Sequence, residues 1–162
     1  MSIKHLFIIG MEEEIERALL SQSPVSREHL IVLNCVGPYI SDPYDSILRS
    51  VIIAVYQENV KEITIIGAAR SNHSSQIGVE IVELMKRNGV QEQKINTMNY
   101  LFSYSNPGFM ANNLKEWLQG SETVVQGIQN TVELIQRHPL LPQEIKVNGL
   151  LLNTENGKFQ PL

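Results

Sequence analysis

Short apolar runs typical of buried strands alternate with helical patterns along this chain, and this alternation limits the possible folds more than any other feature. The runs predict strands at residues 4–9, 29–35 and 61–67, with a fourth at 90–97. Strands that alternate with helices imply a mostly parallel sheet covered on both faces. We therefore expect an α/β sandwich.

Apolar residues at three-to-four spacing predict amphipathic helices between these strands. Helices are predicted at 11–20, 112–118 and 122–137. Another helix is predicted to begin at Asp42-Pro43, and a further one follows the third strand and ends at residue 87. Asp42 is a favourable N-cap, and Pro43 is a favourable first helical residue. The aromatic, turn-rich stretch 100–110 predicts a structured loop, and 145–160 predicts a C-terminal hairpin.

Composition excludes several classes of protein. The 162 residues are 43% hydrophobic and 19% charged, which is typical of a globular chain with a real core. No repeat or linker interrupts the sequence, so one domain spanning 1–162 is predicted. A net charge of -4 without a basic cluster argues against binding to nucleic acid. No apolar run approaches the roughly 18 residues of a membrane span.

The only cysteine is Cys35, in a predicted apolar strand. A single cysteine excludes an internal disulfide and any site that needs two thiolates from one chain. A buried, structural role is the commonest one for such a side chain. The N-terminal segment shows no secretory signal. These features predict a reducing compartment, the cytoplasm.

Ligands of open α/β sheets bind beyond the carboxyl ends of the strands. Two segments reach that edge, 10–14 after the first strand and 67–75 after the third. The second carries Arg70, Ser71 and Asn72 just before a helix, where free N–H groups favour a small anion. The alternative is that Asn72 or a neighbouring serine merely caps that helix, and the absence of a fixed glycine spacing favours this role.

Several landmarks, in the right order, resemble those of the β-class carbonic anhydrases. The helix 45–50 followed by the strand 62–67 resembles the family's aspartate-x-x-x-Arg-Ser helix and the strand that leads into its Gly-His-x-x-Cys motif. The stretches 132–140, 145–150 and 154–158 resemble its closing helix, His-Pro-Leu turn, strand and Gly-Lys turn. The resemblance covers nearly the whole chain. It implies a three-layer sandwich with about four parallel strands plus an added C-terminal strand, and a homodimer.

The family's zinc ligands are not retained at the matching positions. These positions hold Gly10, Ala68 and Ser71 where the family has Cys, His and Cys. Glycine and alanine have no donor atom, and a serine hydroxyl is a poor zinc ligand beside a thiolate. The resemblance therefore implies the scaffold without its metal, and no cofactor is predicted.

Charged residues near these positions also depart from the family. Its Asp-x-Arg pair matches Glu12 and Glu14, and the aspartate of its second motif matches Arg70. One hypothesis is that Arg70 pairs with Glu12 or Glu14 in the space of the missing metal; the alternative is that all three face solvent. The pocket candidates are Glu12, Glu14, Arg70, Ser71 and His73, and the candidate ligand-binding residues are Arg70, Ser71 and Asn72.

Three functions are compatible with this pattern. The first is a binding or regulatory protein that is inactive in CO2 hydration and linked to inorganic carbon, through a small anion or a protein partner. The second is an enzyme with a repurposed pocket in which Arg70, Ser71 and His73 bind or attack a small anion. The third is a carbonic anhydrase with atypical zinc ligands.

Overall fold

A computed structural model describes residues 2–37, 39–40, 42, 44–69, 76–104 and 111–162. At its centre is a five-stranded sheet in the order β2-β1-β3-β4-β5. The strands are β1 Lys4–Gly10, β2 Leu30–Cys35, β3 Val60–Ala69, β4 Lys146–Asn153 and β5 Lys158–Pro161. The first four strands in this sheet are parallel, and β5 is antiparallel to β4. The predicted sheet of four parallel strands and an added C-terminal strand is confirmed.

Six α-helices and one short 3-10 turn, Arg27–His29, connect the strands within the described ranges. The helices are α1 Glu13–Gln22, α2 Ser46–Gln57, α3 Ile77–Arg87, α4 Glu92–Tyr104, α5 Leu114–Gln119 and α6 Val124–Gln136. In the part of the chain described, none of them is long and apolar enough to cross a bilayer.

The predicted strand at 90–97 is wrong, because this segment begins α4. Its only apolar residues are Val90 and Ile95, and Ile95 is buried in a small cluster with Val82 of α3 and Leu114 of α5. The fourth parallel strand is instead β4. The predicted loop at 100–110 is also wrong for residues 100–104, which form the end of α4. Residues 105–110 lie outside the described residues.

The N-cap of α2 lies three residues later than predicted, at Asp45 instead of Asp42. The Asp45 carboxylate accepts a 2.7 Å hydrogen bond from the backbone N–H of Ile47 and is therefore the N-cap. Asp42 instead accepts a 2.7 Å bond from the N–H of Tyr44, two residues on, which closes a local turn.

The two faces of the sheet bury different sets of side chains, as the two-residue period of a strand requires. One face, which includes Leu6 and Ile63, packs against α2 and α6. The other face, which includes Phe7 and Ile66, packs against α1.

Thr131 of α6 holds the segment that follows β2. Its side chain is fully buried, and its hydroxyl oxygen accepts a 3.1 Å hydrogen bond from the backbone N–H of Ile40. Thr131→Val keeps the shape but leaves that buried N–H without its acceptor. We expect a loss of about 1–3 kcal/mol in the free energy of unfolding, measured by urea denaturation.

Thr97→Val is the matched control. The Thr97 hydroxyl is on the exposed surface of α4 and donates to the carbonyl of Gln93, within its own helix. We expect a change within about 0.5 kcal/mol. Equal losses in the two variants would contradict a bracing role for Thr131.

Candidate functional site

The topology of the sheet defines one crevice at its carboxyl edge. The chain runs from β1 outward to β2 and then returns across to β3, on the other side of β1. This reversal places the carboxyl ends of β1 and β3 side by side, which is where α/β sheets open a binding crevice. Gly10 at the end of β1 and Ala68 near the end of β3 therefore lie at the same edge, as the sequence predicts.

The Glu12 side chain folds back over Gly10. A Cβ atom added at Gly10 would lie 3.2 Å from the carboxyl carbon of Glu12, with one of the carboxylate oxygens closer still, and 3.0 Å from Cδ1 of Ile15. Oε2 of Glu12 is buried. The space that a side chain at position 10 would need is thus filled by the Glu12 carboxylate.

The other candidate acids and ligand positions differ in their surroundings. Glu14 is exposed on the first turn of α1, whereas Glu12 is half-buried at its N-cap. Ala68 is 2% exposed and carries no donor atom. Arg70, Ser71, Asn72 and His73 lie outside the described residues, so the ion pair of Arg70 with Glu12 or Glu14 stays a prediction.

Cys35 ends β2 and lies beside Gly10 in the register of the two strands. The pKa of the Cys35 thiol is raised, and burial is the largest cause. A hydrogen bond with the Tyr39 backbone lowers this pKa, whereas the negative charges of Asp45 and Glu12 raise it further. The group is therefore a neutral thiol at neutral pH. A neutral thiol is a weak nucleophile and has to lose its proton to bind zinc.

A cavity of about 420 Å³ opens next to this edge, between the chain after β2 and helices α3, α5 and α6. Its polar groups include Tyr39 and Asp45, and its apolar wall includes Ile77 and Trp117. Burial raises the pKa of the Tyr39 hydroxyl, which is neutral and able to donate a hydrogen bond. Sequence reasoning missed this cavity, because its walls come from segments that only the fold brings together.

Gly10 and Ala68, the two described residues at the matching ligand positions, do not fit the zinc ion of the resemblance. Gly10 and Ala68 have no donor atoms, and the Glu12 carboxylate fills the space where a ligand at position 10 would begin. Within the described ranges, no three His, Cys, Asp or Glu side chains are grouped so that they could hold a metal ion.

Comparison with known proteins defines the family. The chain is 37% identical over 155 residues to a Bacillus subtilis protein named "Putative carbonic anhydrase-like protein YbcF", and the alignment covers 96% of this chain and 84% of the relative. It belongs to the β-carbonic anhydrase family, as its sequence motifs predict. No protein-family model matches it.

Two solved structures share the fold. A β-carbonic anhydrase from Trichomonas vaginalis superposes with a TM-score of 0.79 at 20% identity, covering 97% of this chain and 80% of that one. The apo form of a carbon disulfide hydrolase superposes with a TM-score of 0.71 at 14% identity, covering 96% of this chain and 76% of that one. At such identities these structures establish the architecture alone.

The contact between Glu12 and position 10 is testable by a double-mutant cycle. Gly10→Ala adds a methyl group where the carboxylate lies, so Glu12 has to move. We expect a loss of about 1 kcal/mol in the free energy of unfolding. In a Glu12→Ala background only the 3.0 Å contact with Cδ1 of Ile15 remains, so the same change should cost less, and the difference measured by urea denaturation is the coupling energy.

Glu14→Ala provides the control background, because Glu14 is exposed on the same helical turn. Gly10→Ala should cost as much there as in the unmodified chain. A cost that stays the same in the Glu12→Ala background would show that the carboxylate does not occupy this space.

The thiol of Cys35 gives a second, independent probe of Glu12. Because the Glu12 charge helps to raise the pKa of Cys35, Glu12→Gln should lower that pKa and increase the thiolate fraction at any pH below it. We expect the rate of alkylation by iodoacetamide at pH 8 to rise. Glu14→Gln should leave the rate unchanged, and a rise of the same size in both variants would contradict a local effect.

Proposed function

We propose that this chain is a carbonic-anhydrase-like protein that holds no catalytic zinc, does not hydrate CO2, and acts as a binding or regulatory protein linked to inorganic carbon. The observation that carries this proposal is the Glu12 carboxylate over Gly10, at the position where the family's first ligand would begin. Ala68, also without a donor atom, adds to it.

The chemistry of CO2 hydration explains why these two positions matter. A zinc enzyme lowers the pKa of a bound water from 15.7 to about 7 and so supplies hydroxide at neutral pH. A carboxylate beside a neutral thiol offers no comparable stabilisation of hydroxide. A shared fold does not carry the activity without the site.

The proposed ligand is a small anion such as bicarbonate. Arg70, Ser71 and Asn72 follow the end of β3 and supply one positive charge and polar hydrogen-bonding groups. The proposed positive charge of Arg70 would offset Glu12 and leave room for one anion. Such a site would be regulatory if a protein partner bound the anion-bound form of the chain more tightly than the anion-free form.

An enzyme with a repurposed pocket is the second candidate. The resemblance in fold to a carbon disulfide hydrolase favours it, since that protein has a different named activity on the same architecture. Here Ser71 would be the nucleophile, and it needs a base such as His73 within hydrogen-bond reach. A carbonic anhydrase with atypical zinc ligands is the third candidate.

We further propose a single-domain homodimer in the cytoplasm. Helix α4 exposes Met98, Leu101 and Tyr104, and Trp117 of α5 is also exposed. Apolar side chains grouped on a surface favour association with another chain. The family resemblance implies a second copy as that partner.

Metal content and hydration activity test the leading proposal together. After incubation with zinc and gel filtration, we expect far less than one zinc per chain by plasma mass spectrometry. Stopped-flow CO2 hydration should equal the uncatalysed rate. Stoichiometric zinc with hydration activity would overturn the proposal in favour of the third candidate.

Binding of bicarbonate separates the first two candidates. Titration calorimetry should detect it in the unmodified chain, and Arg70→Gln should abolish it, whereas Arg87→Gln, at the end of α3, should not. Hydrolysis of an activated ester that Ser71→Ala abolishes, and Ser74→Ala does not, would instead support the repurposed enzyme.

A further inference from the structure

A cavity of about 630 Å³ lies on the sheet face that α1 covers, away from the carboxyl edge. Its floor is made by β1, β3 and β4, and its walls come from the end of α1, the chain that follows it, the C-terminal residues, and Val132 and Gln136 at the end of α6. This volume is typical of pockets for small molecules, which run from about 300 to 1,000 Å³. Sequence reasoning did not find this cavity.

Four polar side chains from three strands form one cluster on the floor. Nε2 of His5 is hydrogen-bonded to Oγ1 of Thr64 at 2.8 Å, and Thr64 is 3% exposed. Nδ1 of His5 lies 3.9 Å from a carboxylate oxygen of Glu62. The amide nitrogen of Asn148 donates a 2.8 Å hydrogen bond to the other Glu62 oxygen. These contacts fix the position of the carboxylate on an otherwise apolar sheet.

The rest of the cavity is mainly apolar. The Phe7 ring stacks on His5 with the ring centroids 4.1 Å apart, and Leu150, Phe159 and Leu19 extend the apolar surface. A few fixed polar groups at one end of an apolar pocket are typical of a site that orients an amphipathic ligand.

The charge of Glu62 is not balanced by a cation of the described residues. Lys146 is its register neighbour on β4, but no lysine or arginine nitrogen in the described ranges lies within 4.0 Å of the carboxylate. Burial lowers the pKa of His5 more than Glu62 raises it, so the imidazole is mostly neutral at neutral pH. The Glu62 side chain is 40% exposed and can be reached from the cavity.

We propose that this cavity binds a small amphipathic amine, whose ammonium group pairs with the Glu62 carboxylate while its apolar body packs against Phe7 and Leu150. Charge complementarity selects the head group, because an amine supplies the missing positive charge and a carboxylic acid would meet repulsion. The inference does not depend on the function proposed for the carboxyl edge.

Three probes with one apolar body and different head groups test the proposal. They are 4-phenylbutylamine, 4-phenylbutanol and 4-phenylbutyrate, titrated at pH 7.5 into the full chain while the imidazole signals of His5 are followed by NMR. The amine should bind saturably and about tenfold more tightly than the alcohol, and the acid should bind most weakly.

Glu62→Gln removes the charge and keeps an oxygen that can accept from Asn148. It should weaken the amine about tenfold, to the affinity of the alcohol, and leave the alcohol unchanged. Glu144→Gln, an exposed change outside the cavity, is the matched control and should alter neither affinity. Phe159→Ala should weaken both probes equally and so keep their ratio.

Three outcomes would overturn the proposal. The first is that the amine binds no more tightly than the alcohol. The second is that the amine binds the Glu62→Gln variant as tightly as the unmodified chain, with the melting temperature of the variant unchanged. The third is the absence of saturable binding by all three probes, as expected if a second copy of the chain or another protein covers this face.

Discussion

The whole architecture depends on the burial of β1 and β3 on both faces of one mostly parallel sheet. Their side chains alternate between the layer of α2 and α6 and the layer of α1, so neither strand can shift its register by one residue without exposing its apolar set. This constraint fixes where the two strands end. It therefore also fixes the positions of Gly10 and Ala68, on which the proposed loss of zinc rests.

The features predicted from sequence are those that local pattern determines. Strands buried on both faces read as near-continuous apolar runs, so β1 and β3 were predictable to within a few residues. The edge strand β2 is only partly buried, but its sequence is also a near-continuous apolar run and was equally predictable. Segment 90–97 was not, because one buried side chain, Ile95, docks a polar helix onto α3 and α5. The predicted N-cap of α2 was wrong because Asp42 and Asp45 are both suitable residue types. The Asp42 carboxylate accepts from the N–H of Tyr44 in a local turn, and Asp45 caps the helix.

In the candidate sites, too, the features set by local sequence could be predicted and those set by tertiary contacts could not. Gly10 and Ala68 could be found from the order of motifs, but the difference between Glu12 and Glu14 could not. Glu12 has an extended backbone at the N-cap, and its side chain reaches back over Gly10, whereas Glu14 lies in the first helical turn and faces solvent. The cluster on the sheet face joins residues 57 to 86 positions apart, and only the strand pairing brings them together.

The two sites lie at opposite ends of the same strands, and this separation has a physical consequence. His5 and Gly10 are five residues apart on β1, which at about 3.3 Å per residue places their Cα atoms about 17 Å from each other. At ordinary ionic strength the Debye length is about 8–10 Å, so screening weakens any effect of a charge change at Glu62 on a ligand at the carboxyl edge. The floor between them is a continuous, fully paired sheet, which resists local rearrangement. The proposed loss of the metal chemistry at one end therefore places no constraint on the proposed binding at the other end.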